Sequence, residues 1–273
     1  VHVELAARAE QQQIEIEDSG KKDFDGSAFS VSSAANWEFA PNYKLSLVAS
    51  HQQRLPLAQE LYANGGHFAT NTYELGNDQL SKEKSNNLEL GFHYEHDQFD
   101  YHIHVYQNWF DDYIYAQTLD RYKDFRLVQY TQDQAKFYGA EAEASYQISP
   151  IYKIGVFGDY VRGKIDNDNA PRVPAGRLGT KVNADLGDGF SGSAEYSHVF
   201  QQDKIAAYET DTQSYNLLNL GVAYDGQYGR AGVYRIFLNA NNLLDDHIYQ
   251  HASFLSTIPQ VGRNFTVGVN LSF

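Results

Sequence analysis

The sequence predicts an all-β protein, an antiparallel β-barrel of about twelve strands that crosses a membrane. Three observations lead there. Apolar and polar residues alternate with a period of two in segment after segment, as they do when successive side chains leave a strand on opposite faces. The connections between segments alternate between short and long, and the apolar face of each segment carries no Lys, Arg, Asp or Glu. A soluble sandwich has no reason to sort its connections this way, and a charge at the middle of a bilayer costs about 2–4 kcal/mol.

Composition sets the same bounds. The 273 residues include 21 Tyr and 16 Phe but no Met, a balance that favours strands. No run of about 18 apolar residues exists, which excludes a helical span, and a negative mean hydropathy suits a barrel whose strands are half polar. With no Cys there is neither a disulfide framework nor a thiolate metal site. The formal charge of −14 argues against nucleic acid as a partner and suits the attraction of cations.

The chain starts inside an alternating segment, Val1, Val3, Leu5, Ala7 and Ala9, with no leader pattern ahead of it; it reads as a processed chain or a piece of a longer one. A polar, glycine-punctuated loop over 18–26 leads to Phe29, Val31, Ala35, Trp37 and Phe39, and Pro41-Asn42 turns the chain into Leu45, Leu47 and Ala49. The longest irregular stretch follows, roughly 54–82, with Asn64-Gly65-Gly66-His67 as a tip. The clearest hairpin comes next: Leu88, Leu90, Phe92 and Tyr94 alternate outward, Asp97-Gln98 turns, and Phe99, Tyr101, Ile103 and Val105 return. That register sets Tyr94 opposite Tyr101 at the level of an aromatic girdle and His93 opposite His102 on the inner face.

A second polar loop is expected over 118–134. Beyond it lie YGAEAEASYQI, a Ser149-Pro150 turn, outward Ile154, Val156 and Tyr160, and a loop over 163–174. Leu178, Val182 and Leu186, a Gly187-Asp188-Gly189 turn, and Phe190, Ala194 and Tyr196 form another pair. After a loop over 202–213 come Leu218, Leu220 and Val222, a turn over 225–230, and Tyr234, Ile236 and Leu238. A last loop around Phe254 reaches the strand at 262–273, which alternates Phe265, Val267, Val269, Leu271 and Phe273 against Asn264, Thr266, Gly268, Asn270 and Ser272. Short turns thus fall near Pro41, Asp97, Pro150, Asp188 and Gln227, and long loops near Asp23, His67, Arg126, Asn167, Tyr208 and Phe254.

Several phrases resemble the carboxy-terminal half of TonB-dependent outer-membrane receptors: QELY with YELGNDQLSKEKSNNLELG, FYGAEAEASYQ, APRVPAGRLG, LNANNLLDDHIYQHASFL and PQVGRNF. Within that class LAQELYANGGHFATNTYELGN, YIYAQTL, GDYVRGKI and ASFLSTIPQVGRNF are most similar to zinc-uptake receptors of Gram-negative bacteria. The resemblance covers the whole chain. It implies residence in the bacterial outer membrane, long loops outside, and energy-coupled import of zinc, with haem as a further cargo. It also implies a 22-stranded barrel, of which residues 1–273 form a single carboxy-terminal region without the plug domain that would engage TonB. No bound cofactor is implied; zinc is cargo. Phe273 resembles the carboxy-terminal signal read by the barrel-assembly machinery, which joins outer-membrane lipid, the plug and TonB as an expected partner.

Without thiolates, zinc needs nitrogen and oxygen ligands. His67 matches a loop histidine of the zinc receptors implicated in metal capture, and Glu60, Glu74 and Asp78 are candidate oxygen ligands in the same loop; a solvated loop histidine is the plain alternative. His247 and His251 are further candidates beside Asp245 and Asp246, although their four-residue spacing suits a helix and structural roles compete. A lumen-facing cluster of His93, His102 and His104 would relay metal inward or hydrogen-bond a plug. The other readings are a receptor for a ferric siderophore or haem, a passive porin or anchor, and a barrel enzyme of the phospholipase type. An enzyme would need a Ser–His pair on one face, and Ser197 and His198 point oppositely.

Overall fold

A computed structural model describes residues 1–17, 20–123, 125–229 and 232–273. Twelve strands follow one another as an antiparallel meander. They are β1 (His2–Ile14), β2 (Phe24–Ala40), β3 (Tyr43–Arg54), β6 (Glu83–His96), β7 (Phe99–Tyr122), β8 (Phe125–Gln147), β9 (Tyr152–Ile165), β11 (Arg177–Gly187), β12 (Phe190–Val199), β13 (Tyr215–Tyr228), β14 (Gly232–Asn241) and β15 (Asn264–Ser272). Between β3 and β6 stand helix α1 (Ala58–Tyr62) and the short strands β4 (Asn64–His67) and β5 (Thr72–Leu75), and β10 (Asp168–Asn169) folds back on β9. Along the sheet β1 pairs with β2 and β15 with β14, and the two do not pair with each other, so the sheet remains open among the described residues.

The alternation read from sequence is the alternation of the two faces. Val222 on β13, Leu238 on β14 and Val267 on β15 stand in register on the outer face, and their neighbours Gly221, Asn239 and Thr266 stand in register on the inner one. A wall one strand thick has no interior, so these apolar side chains remain exposed, Val267 at 72%. At the short-turn end their place is taken by touching aromatic rings: Tyr43 and Tyr94 with centroids 4.6 Å apart, Tyr94 and Tyr101 at 5.4 Å, Phe99 and Tyr146 at 6.4 Å, and on the far side Phe190 and Tyr224 at 4.6 Å. Amphipathic rings at one level are the mark of a membrane–water interface. The inner face carries cross-strand ion pairs, among them Lys153 with Asp100 and Arg177 with Asp159.

Short connections fall near Pro41, Asp97, Pro150 and Asp188, and the long ones gather at the opposite end. Of the turn expected over 225–230, Asp225–Tyr228 belong to β13, and of the loop expected over 18–26, Phe24–Gly26 belong to β2; positions 18, 19 and 230 lie outside the described residues. One expected loop is replaced by structure. In place of a loop over 118–134, β7 and β8 continue as a hairpin out to Tyr122 and Phe125. At 24 and 23 residues they far exceed the roughly 9–11 residues that cross a bilayer. Among the polar residues that suggested a loop, Val128 is buried and Tyr130 packs against the cluster of Leu61, Leu80 and Ile114. β-Bulges between Phe110 and Tyr113 and between Thr118 and Asp120 re-aim the side chains of β7 as it leaves the wall.

The stretch at 54–82 is not irregular either. Above Ile165 the β9 side of β8 is a free edge, and β5 occupies it, pairing in parallel from Thr72 opposite Arg126 to Leu75 opposite Gln129. Helix α1 buries Leu61 against Leu80 and Ile114, one of two small apolar clusters, both at the long-loop end. Gly76 permits that fold: a Cβ there would stand 2.5 Å from the backbone of Leu61.

Candidate metal-binding site

His67 ends β4, and the turn over 68–71 returns the chain to β5, so that His67 pairs with Thr72. With this hairpin docked on β8, one carboxylate organises the surroundings. Glu74 Oε1 lies 2.9 Å from His67 Nδ1 and accepts from Thr72 Oγ1 at 3.2 Å; its Oε2 accepts from Gln59 Nε2 at 2.6 Å and Tyr130 Oη at 3.3 Å. Helix α1 contributes Gln59, strand β8 contributes Tyr130, and the hairpin supplies the rest.

Burial pushes the Glu74 carboxyl up, but hydrogen bonds from Gln59, His67 and Thr72 outweigh it and hold the group below its ordinary value. Glu74 is therefore an acceptor, and Nδ1 of His67 is the donor. A neutral imidazole with its proton on Nδ1 presents a free lone pair on Nε2. The side chain of His67 is 48% exposed while that of Glu74 is 9% exposed, so the ring is fixed from beneath and open above. This is the carboxylate–histidine pairing that orients metal-binding imidazoles.

The other candidates stand elsewhere. Glu60 is bonded through both oxygens to Arg54 and through Oε2 to the Leu57 N–H, and Arg54 also pairs with Glu83. Asp78 accepts from the Lys22 N–H at 3.4 Å and from the Gln79 side chain. His247 is exposed in the loop over 242–263, which is not helical; Asp246 Oδ1 accepts from its backbone N–H. His251 is buried, with Nε2 3.4 Å from Glu209 Oε2 and neither ring nitrogen in a hydrogen bond. Among the described residues no three His, Asp or Glu side chains form a ready metal set. His67 and Glu74 are the pair from the long loop that the fold brings together, with Glu74 engaged in holding His67.

Sequence reasoning missed the groups that tie the outer loops to this hairpin. Arg126 on β8 donates to the carbonyls of Thr70 and Phe254, and the ring of Phe254 lies beneath both Arg126 and Arg172, 5.4 and 4.3 Å from the guanidinium carbons. Arg172 N donates to Glu209 Oε1 at 2.7 Å. The turn after His67 and the loop carrying His251 are thus joined through one arginine. A span of 128 residues separates Arg126 from Phe254, and nothing local in the sequence announces the contact.

The inner-face histidines lie as the register predicted. His93 Nδ1 is 2.9 Å from His102 Nδ1, the rings of His93 and His104 are 4.8 Å apart, and His104 Nδ1 is 2.8 Å from Glu89 Oε1. Ser197 and His198 occupy opposite faces, His198 meeting Asn216 at 2.9 Å. Phe273 follows β15 and is fully exposed.

The hold on His67 has a pH signature. Because the carboxyl of Glu74 titrates below its ordinary 4.5 in the folded protein, the stability it lends is complete above pH 4.5 and is lost as pH falls through its folded value. Amide exchange over residues 64–75, corrected for intrinsic rates, is expected to stay constant from pH 7 to pH 5 and to rise well below 4.5. Loosening between pH 7 and pH 5 would place the hold in another group.

Residues 1–243 match the family model described as TonB dependent receptor-like, beta-barrel. Among solved structures the chain is similar to the copper transporter OprC, with a TM-score of 0.78 and 21% identity over 92% of this chain and 40% of that one. It is similar to the FrpB iron transporter from Neisseria meningitidis (F3-3 variant), with a TM-score of 0.73 and 14% identity over 98% of this chain and 42% of that one. The siderophore receptor PirA from Acinetobacter baumannii matches with a TM-score of 0.65 and 16% identity, over 98% and 45%. The chain spans less than half the length of each.

Proposed function

Since the chain belongs to the TonB-dependent receptor-like β-barrel family, we propose that it forms part of the wall of an outer-membrane transporter whose cargo is zinc. The long loops face the outside, the inner face lines the path, and His67 meets the ion first. One observation carries the choice of cargo: a half-exposed imidazole whose Nδ1 lies 2.9 Å from a buried carboxylate. That is a metal-ligand geometry. Energy coupling, a plug seated against the inner face, and insertion by the barrel-assembly machinery complete the proposal, and none of them calls for an enzymatic centre in this chain.

Copper is the second reading. A neighbour in structure is a copper transporter, and imidazole sites bind Cu²⁺ more tightly than Zn²⁺. Growth separates the two. A strain that relies on the receptor containing this chain is expected to fail in zinc-depleted medium when the receptor carries His67→Ala, and to be unaffected in copper-depleted or iron-depleted medium. Failure confined to copper depletion would transfer the site to copper, and failure confined to iron depletion would transfer it to iron.

A further inference from the structure

We propose that His93 and His102 form a second metal seat on the inner wall, a transit station between the outer loops and the short-turn end. The choice of zinc rests on the function proposed above; the seat itself rests on its own geometry. Strands β6 and β7 pair so that His93 faces His102, and β7 places His104 two residues on along the same face. The Nδ1 atoms of His93 and His102 are 2.9 Å apart. Two nitrogens on a tetrahedral zinc stand about 3.3 Å apart, so the pair needs to open by only a few tenths of an ångström.

The surroundings are those of a ligand pair. On the other side of its ring, His93 Nε2 is 3.1 Å from Ser46 Oγ. With metal on Nδ1 the ring carries its proton on Nε2 and donates it to that hydroxyl, so the ligand is held from behind. His104 Nδ1 lies 2.8 Å from Glu89 Oε1, and its ring centroid is 4.8 Å from that of His93. Gly91 keeps the space: a Cβ there would stand 2.2 Å from Ser46 Oγ and 2.8 Å from His93 Nε2. Around the pair Lys44 opposes His93, while Glu143 opposes His102 and Glu141 opposes His104.

Access is from the side of His102, which with His104 lines a hollow of about 740 Å³; His104 also lines, with Glu89, a second of about 1240 Å³. Only two of the coordination positions come from protein side chains, which leaves the rest to water. An ion in transit needs that arrangement, because a site on a path must release what it binds. In the empty protein one imidazole donates to the other through Nδ1, and the metal replaces that hydrogen.

The test is titration of the intact receptor in detergent with Zn²⁺ alone, in a His67→Ala background that removes the outer ligand. One site is expected to remain. Adding His102→Gln should weaken it at least tenfold, and Ser46→Ala, which spares both ligands, should weaken it by about 10-fold. Resistance of the folded barrel to unfolding in detergent on heating checks each variant. Equal affinity with and without His102→Gln in folded protein would overturn the seat, as would loss of heat resistance alone, the result expected if the histidines only hydrogen-bond a plug. If His102→Gln does not fold, unchanged affinity in Ser46→Ala would overturn it. Failure of the outer site shows separately, as identical titrations of wild type and His67→Ala.

Discussion

Replacing Leu238 by arginine is expected to destabilise the barrel by about 2–4 kcal/mol, whereas arginine at the adjacent Asn239 is expected to be nearly neutral. Leu238 lies on β14 between Val222 and Val267, in the middle of the outer apolar band and away from the aromatic girdle. A guanidinium there must either stay in hydrocarbon or pull water and headgroups inward. Asn239, one residue on, faces the inner wall between Gly221 and Thr266, where a charge is hydrated and joins the ion pairs already present. A cost of that size is a factor of roughly 30 to 900 in the folding equilibrium. Equilibrium unfolding of the intact receptor in lipid, followed by its electrophoretic shift, reads both substitutions. Equal costs at the two positions would contradict the assignment of the outer and inner faces.

Replacing Glu74 by glutamine should lower zinc affinity by about 10–100-fold without removing a ligand. The amide keeps the shape and still accepts through its oxygen, but it loses the charge that keeps the proton of His67 on Nδ1. Glu74 gathers Gln59, Thr72, Tyr130 and His67 on two oxygens, so its neutral replacement leaves donors facing an NH₂ group. Glu60, also acidic and in the same loop, serves as the control: it is committed to Arg54, and Glu60→Gln is expected to alter the packing of α1 while leaving zinc affinity within a few-fold. A larger effect at Glu60 than at Glu74 would reverse their roles.

The barrel was legible because its rules are local. A period of two, a turn at Asp97-Gln98 and a face without charges can each be read from a dozen residues, and the pairing of His93 with His102 follows from the turn alone. What lay above the membrane was not legible, for two physical reasons. The β7–β8 hairpin reads as polar, yet Tyr113 and Tyr115 pack against Ile165, Ala170 and Val173, and Ile114 packs against Leu61 of α1 and Leu80. The docking of β5 on β8 is parallel and joins residues some 54 positions apart, so no turn chemistry encodes it. The role of Glu74 was hidden although His67 is only seven residues away. Sequence places His67 and Glu74 in one loop as two acceptors of metal, but only the pairing of β4 with β5 shows that one holds the other. His251 and Glu209 likewise meet through loops whose separation carries no periodic signal.

The most direct measurement is a zinc titration of the receptor that contains this chain, wild type beside His67→Ala. Loss of a ligand should exceed the loss of an outer-shell partner, so the outer site is predicted to weaken by at least about 100-fold while the barrel remains folded. Unchanged affinity and stoichiometry in folded His67→Ala receptor would contradict the account.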